Sequence, residues 1–155
     1  MTAAAGAPQR MMTALGVLGL IPFVAAPLRL MDGFGPGLAW TSLQAIYAAV
    51  ILAFLGGVRA AHAAFAVESD TRVIVAAMAP PLVGFGLGAA ATFNPARTDI
   101  TAGALLGLAL ALAVQGAWDV NARTLPDWYR RLRIPLTVVA CLALASGALL
   151  AGILA

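Results

Sequence analysis

The sequence predicts an all-α integral membrane protein, a bundle of five transmembrane helices with no soluble domain. Two observations carry this. The chain has 155 residues, of which 63% are hydrophobic and only 10% charged. Its apolar residues also fall into five long blocks separated by short arginine-bearing hinges. A helical crossing of the hydrocarbon core needs about 20 apolar residues, so five crossings use about 100 and leave only turns. A transmembrane barrel would instead show alternating strands of roughly ten residues, and these blocks do not alternate. The whole chain, residues 1–155, is therefore read as one membrane domain.

The first block runs from Met11 to Leu30. It is long for the apolar core of a signal peptide and four more blocks follow, so it is read as a span. Pro22 is expected to bend this helix rather than end it, because neighbouring groups in a membrane can satisfy the carbonyl that proline frees. Glycine and proline signals place a turn at Met31 to Gly37. The second block extends from Leu38 to Ala64, with Trp40 at headgroup depth near its start. A polar hinge, Glu68 to Arg72, leads into the third, Val73 to Phe93, which carries Pro80 and Pro81. After a turn at Asn94 to Asp99, Thr98 or Asp99 is expected to cap the fourth block, Ile100 to Trp118. The polar stretch Asp119 to Arg133 precedes the fifth, Pro135 to Ala155, and is read as holding a short interfacial helix.

All nine basic residues are arginines, and most flank the apolar blocks. The formal net charge of +3 therefore reflects membrane orientation rather than a surface for nucleic acid. With the N-terminus in the cytoplasm, Arg10, Arg59, Arg72, Arg123, Arg130, Arg131 and Arg133 fall on the cytoplasmic side, and only Arg29 and Arg97 on the other. The bias predicts N-in, C-out in a bacterial inner membrane.

Small residues recur along the blocks. Ala45, Ala49, Ala53, Gly56 and Ala60 share one side of the second. Gly103, Gly107 and Ala111 repeat on the fourth, Gly84 and Gly88 on the third, and Ala143, Gly147 and Ala151 on the fifth. Such faces let backbones approach closely where lipid offers no hydrophobic drive for association. They serve packing within one chain or contact with a second copy.

Polar residues inside spans mark the candidate site. Gln44, Tyr47, Ile51, Leu55, Val58 and His62 form a helical stripe with Arg59 on its flank. Gln115 and Asp119 stack on one face at the end of the fourth block. The topology brings both block ends to one membrane surface, which predicts a cluster of Arg59, His62, Gln115 and Asp119. It is a ligand or proton site, a structural ion pair, or a set of arginines reaching for headgroups. Trp128, Tyr129, Arg130, Arg131 and Arg133 form a collar suited to headgroup depth and anionic lipid phosphates, or to a docking partner.

Other chemistries lack their residues. One histidine and one cysteine, His62 and Cys141, make no zinc site, bis-histidine haem pair or thiol pair, so no metal or cofactor is expected. No Walker loop or dinucleotide fingerprint occurs, and His62 has no serine elbow to serve. The chain is therefore expected not to be an enzyme.

Four stretches carry a resemblance. LGVLGLIPFVAAPL (Leu15 to Leu28), YAAVILAFLGGV (Tyr47 to Val58) and LPDWYRRLRIPLT (Leu125 to Thr137), with APPLVGFG (Ala79 to Gly86), are similar in content and order to the domain-of-unknown-function 3429 family, the bacterial relatives of mitochondrial transmembrane protein 69. The resemblance implies a small integral membrane protein without an assigned activity, so it carries over no catalytic residue. Relatives follow the glycine pair with a His-Trp-Gly run, whereas this chain has Arg59-Ala60-Ala61 and His62 after Gly57. Two functions are expected on these grounds. The first is a non-catalytic accessory or assembly protein in contact with the bilayer and a membrane-protein partner or second copy. The other is a binding or transport protein for a small hydrophobic molecule or a proton.

Overall fold

The computed structural model describes residues 6–32, 37–66, 70–94 and 96–153. Seven helices follow one another: α1 (Gly6–Leu18), α2 (Ile21–Met31), α3 (Gly37–Ala64), α4 (Thr71–Ala76), α5 (Ala79–Phe93), α6 (Thr98–Asn121) and α7 (Asp127–Ile153). No strand occurs among the described residues. The helices form five segments long and apolar enough to cross a membrane: Pro8–Met31, Ala39–Ala64, Thr71–Phe93, Thr98–Asn121 and Asp127–Ile153. The turn residues 33–36 and Glu68 of the second hinge lie outside the described residues.

Two spans are interrupted, and proline explains both. The first ends as α1 at Leu18 and restarts as α2 at Ile21, with Pro22 in the opening turn of α2. Pro22 thus ends a helix that it was expected only to bend. Proline supplies no donor to the carbonyl four residues back, so the turn before it loses a backbone hydrogen bond. The third span breaks at Ala77–Met78, and α5 begins with its prolines in the first turn.

Other boundaries shift for identifiable reasons. Asp70 caps α4 by accepting a hydrogen bond from the Arg72 amide at 2.9 Å, so the third span starts at Thr71, earlier than its apolar block. The expected caps of the fourth span lie inside it instead. Arg97 occupies the cap position, and Asp99, in the first turn, pairs with the Arg97 side chain at 2.8 Å. The expected separate helix before the last span is not a separate element. Asp127–Ile153 is continuous through Pro135, and only residues 122–126 of the polar stretch are non-helical. Pro135 leaves the carbonyl of Arg131 without a backbone donor. The helix nevertheless runs on through Pro135.

The core is small and aliphatic. Ala45, Ala48, Leu52, Leu105, Leu108 and Leu144 are buried together with Phe23. The surface that meets lipid carries Leu82, Phe85, Leu110 and Leu149. The small-residue faces are largely consumed within the chain. A Cβ on Gly84 would meet the backbone oxygen of Ala49 at 3.0 Å, and one on Gly88 would meet the Ala49 Cβ at 3.1 Å. Gly56 faces the carbonyl that Pro81 frees, since a Cβ there would lie 2.7 Å from the Ala77 oxygen. Gly103 faces open space.

Candidate functional site

The polar stripe on α3 is spent on structure at its first two members. Gln44, 1% exposed, donates from Nε2 to the carbonyls of Phe23 and Ala143, each at 2.9 Å. Phe23 O is the acceptor that Pro27 leaves without an amide partner, so one side chain ties α2, α3 and α7 together and repairs a broken turn. Gly147 makes room for it, because a Cβ there would collide with Gln44 Oε1. The Tyr47 hydroxyl donates to Gly19 O at 2.8 Å, in the break between α1 and α2, and its ring meets Phe23 edge-on at 5.0 Å. Beyond Tyr47 the α3 core residues Ala48, Leu52 and Leu55 are buried and aliphatic, so the stripe lines no polar passage.

The cluster forms where α3 and α6 end and α7 begins. Asp119, 1% exposed, is its centre. Arg133 donates from Nε to Asp119 Oδ2 at 3.0 Å. Gln115 donates from Nε2 to Oδ1 at 3.2 Å. The Arg59 Nε stands 3.7 Å from Oδ1, within ion-pair range, and makes no hydrogen bond. The Arg59 guanidinium also lies 4.5 Å from the centroid of the Trp118 ring, where the electron-rich face stabilises a cation. Arg59 and Arg133 are 5% and 7% exposed. An aspartate this buried stays ionised only because cations and donors replace its water.

Arg59, Gln115 and Asp119 therefore come together as expected, and His62 does not join them. It is half-buried one turn beyond Arg59 and makes no hydrogen bond or ion pair among the described residues. Arg133 is the member that sequence reasoning assigned elsewhere, to headgroups. It turns inward because it lies on the inner stripe of α7, seven residues before Ala140 and fourteen before Gly147, both buried. That spacing was visible in the sequence, and the assumed break before Pro135 hid it. The rest of the collar is more exposed. Arg130 reaches Asp127 at 3.6 Å, Arg131 is exposed, and Trp128 and Tyr129 are half-buried with rings packed edge-to-face at 5.9 Å.

A cleft of about 260 Å³ opens beside the cluster. The first span supplies Leu15 and Leu20, α3 supplies Phe54, and α6 supplies Leu112. Tyr129 and Arg133 stand on the same wall. Leu15 and Phe54 are more than half exposed, so the cleft opens sideways, toward lipid. A second and shallower groove, of about 470 Å³, runs between α4–α5 and α6, over Gly107 and Ala111.

Five apolar spans around a buried ionic cluster define a multi-pass helical membrane protein. The family model described as "Protein of unknown function (DUF3429)" matches residues 8–149, and the chain belongs to that family. It is also similar to Transmembrane protein 69 of Xenopus tropicalis, at 37% identity over 136 residues, 84% of this chain. The aligned region is 50% of that relative, so the chain spans about half its length. No solved structure matches the chain.

Proposed function

We propose that this is a non-catalytic protein that binds a small hydrophobic molecule in the lateral cleft between the first span, α3, α6 and α7. The observation that carries the reading is the cleft itself, apolar apart from Tyr129, Arg133 and Thr137. Ligand sites have this character, mostly apolar walls with few polar groups to fix orientation. Its volume is slightly under the roughly 300–1,000 Å³ usual for drug-sized ligands, which suits a single chain or a small ring. Transport of a proton through the bundle has less support, because Gln44 and Tyr47 are bound to backbone and the core between them and the cluster is aliphatic.

The arginine distribution supports a bacterial inner membrane location with the N-terminus in the cytoplasm, which puts the cluster and the mouth of the cleft in the cytoplasmic half. Reporter fusions at each terminus check this, and a cytoplasmic C-terminal reporter would reverse it. The test of binding uses the full chain in mild detergent, titrated with decanol. Saturable one-to-one binding is expected, and Leu15→Trp, which fills the cleft from an exposed position, should abolish it. Unsaturable uptake unaffected by Leu15→Trp would refute the reading.

An accessory or assembly role has its own observation, the groove over Gly107 and Ala111. Small residues at its floor suit the close approach of a helix from a membrane-protein partner or a second copy. A partner retained in stoichiometric amount after gentle solubilisation, and lost with Val114→Trp, which fills the groove from an exposed position, would support it. A chain that is monomeric and alone under those conditions would oppose it.

A further inference from the structure

We propose that the ligand of the lateral cleft is a membrane lipid with a monoanionic phosphodiester headgroup, held by Arg133 with one acyl chain along the cleft. This rests on the reading of the cleft as a binding site and names its ligand class. Three observations converge on it. The first is charge. Among the described residues the cluster holds two arginines and one aspartate, all more than nine-tenths buried, and so one surplus positive charge. A buried charge without a counter-ion is costly, and a ligand bearing one negative charge removes that cost.

The second observation decides which arginine would meet the ligand. Arg59 lies against Trp118 and Asp119 and does not line the cleft. Arg133 does line it. Only Nε of Arg133 is engaged, by Asp119, and its two terminal nitrogens make no hydrogen bond among the described residues. A guanidinium with a free fork matches the oxygens of a phosphate. Tyr129, on the same wall, adds a neutral hydroxyl donor.

Depth is the third. Arg133 is six residues into α7, about 9 Å along the helix from Asp127. Trp128, Tyr129 and Arg130 lie between Asp127 and Arg133, a composition suited to the headgroup layer. Arg133 is then at the inner edge of that layer, within reach of a phosphodiester whose chain runs inward. The cleft continues from there past Leu112 to Phe23, and its side opening at Leu15 and Phe54 leaves the second chain of a phospholipid in the bilayer. The surface arginines Arg130 and Arg131 would attract anionic lipid in general, whereas Arg133 would select one molecule.

Native mass spectrometry of the full chain, offered equal amounts of phosphatidylglycerol and phosphatidylcholine with identical acyl chains, tests this. One phosphatidylglycerol per chain should be retained in preference to phosphatidylcholine. Arg133→Gln should weaken its retention roughly tenfold to a hundredfold, the effect of one charge-assisted contact, and weaken phosphatidylcholine, whose phosphate is offset by its own choline, much less. Arg133→Lys should keep part of the preference, and Leu15→Trp should lose both lipids. Equal retention of the two lipids by the wild-type chain would overturn the headgroup assignment and leave the cleft reading intact. Retention of neither, together with no saturable decanol binding, would overturn both. If Arg133→Gln fails to fold by circular dichroism, the wild-type comparison decides alone. An equal loss of preference in Arg131→Gln, or phosphatidylglycerol uptake without a one-to-one limit, would reduce the effect to general surface attraction and overturn the proposal.

Discussion

Replacing Asp119 with asparagine keeps the shape of the cluster and removes its only anion among the described residues. Arg59 and Arg133 then remain as buried cations without their shared anion, 5% and 7% exposed. Each lost attraction, at 3.7 Å and 3.0 Å, is worth roughly 4 kcal/mol at an effective dielectric near 20 and a separation of 4 Å. Relief from burying the carboxylate charge returns part of that. The net loss should be about 3–5 kcal/mol, the usual cost of breaking a buried pair by removing one partner. For a chain of this length it lowers the apparent melting temperature by roughly 6–20 °C, measured by tryptophan fluorescence of the full chain in mild detergent. The triple replacement Arg59→Met, Asp119→Leu, Arg133→Met removes every charge together and should recover most of the loss, since apolar substitutes for a whole buried ionic cluster are often neutral. If Asp119→Asn melts within about 2 °C of the wild type, the charges are hydrated and the burial argument is wrong.

Other consequences are narrower. Gln44→Leu strands the carbonyl of Phe23, which Pro27 leaves without an amide donor, while Ala143 keeps its helical partner; it should cost about 1–3 kcal/mol for the group left unsatisfied, read as a lower melting temperature. Gly56→Ala presses a methyl group onto the Ala77 carbonyl and should cost about 1–3 kcal/mol. Gly103→Ala meets nothing and should be neutral or stabilising by about 0.5–1 kcal/mol. The same melting assay compares the two, and equal effects would contradict the packing described. His62→Ala, at a half-buried position with no described polar partner, should change stability by less than about 0.5 kcal/mol and leave lipid retention as in the wild type.

Part of the candidate site was legible in the sequence because it obeys helix periodicity. Gln115 and Asp119 are four residues apart and had to share a face, and alternation of the spans brings the end of α6 to the end of α3 at Arg59. His62 shows the limit of that reasoning. It lies on the right helix and within a turn of the right depth, yet rotation of α3 about its axis directs Arg59 inward and leaves His62 at the flank. Periodicity places residues relative to one another on a helix, and packing against neighbours chooses the rotation. Arg133 failed for a different reason. Its stripe with Ala140 and Gly147 was readable, but a proline was taken as a boundary when membrane helices can carry one inside.

The sequence by itself determined that the chain has five helical segments long and apolar enough to cross a membrane, and roughly where they lie. Composition and block length decide that, and they need no knowledge of neighbours. Tertiary structure decided what the polar residues do. Gln44 became a brace because Pro27 frees a carbonyl beside it and Gly147 leaves space opposite. Arg133 became part of an ionic centre because Asp119 lies across the α6–α7 boundary. The cleft arises where the first span, broken at Gly19–Leu20, comes together with α3, α6 and α7. Each of these depends on contacts between residues far apart in the chain, and no local pattern encodes their distance.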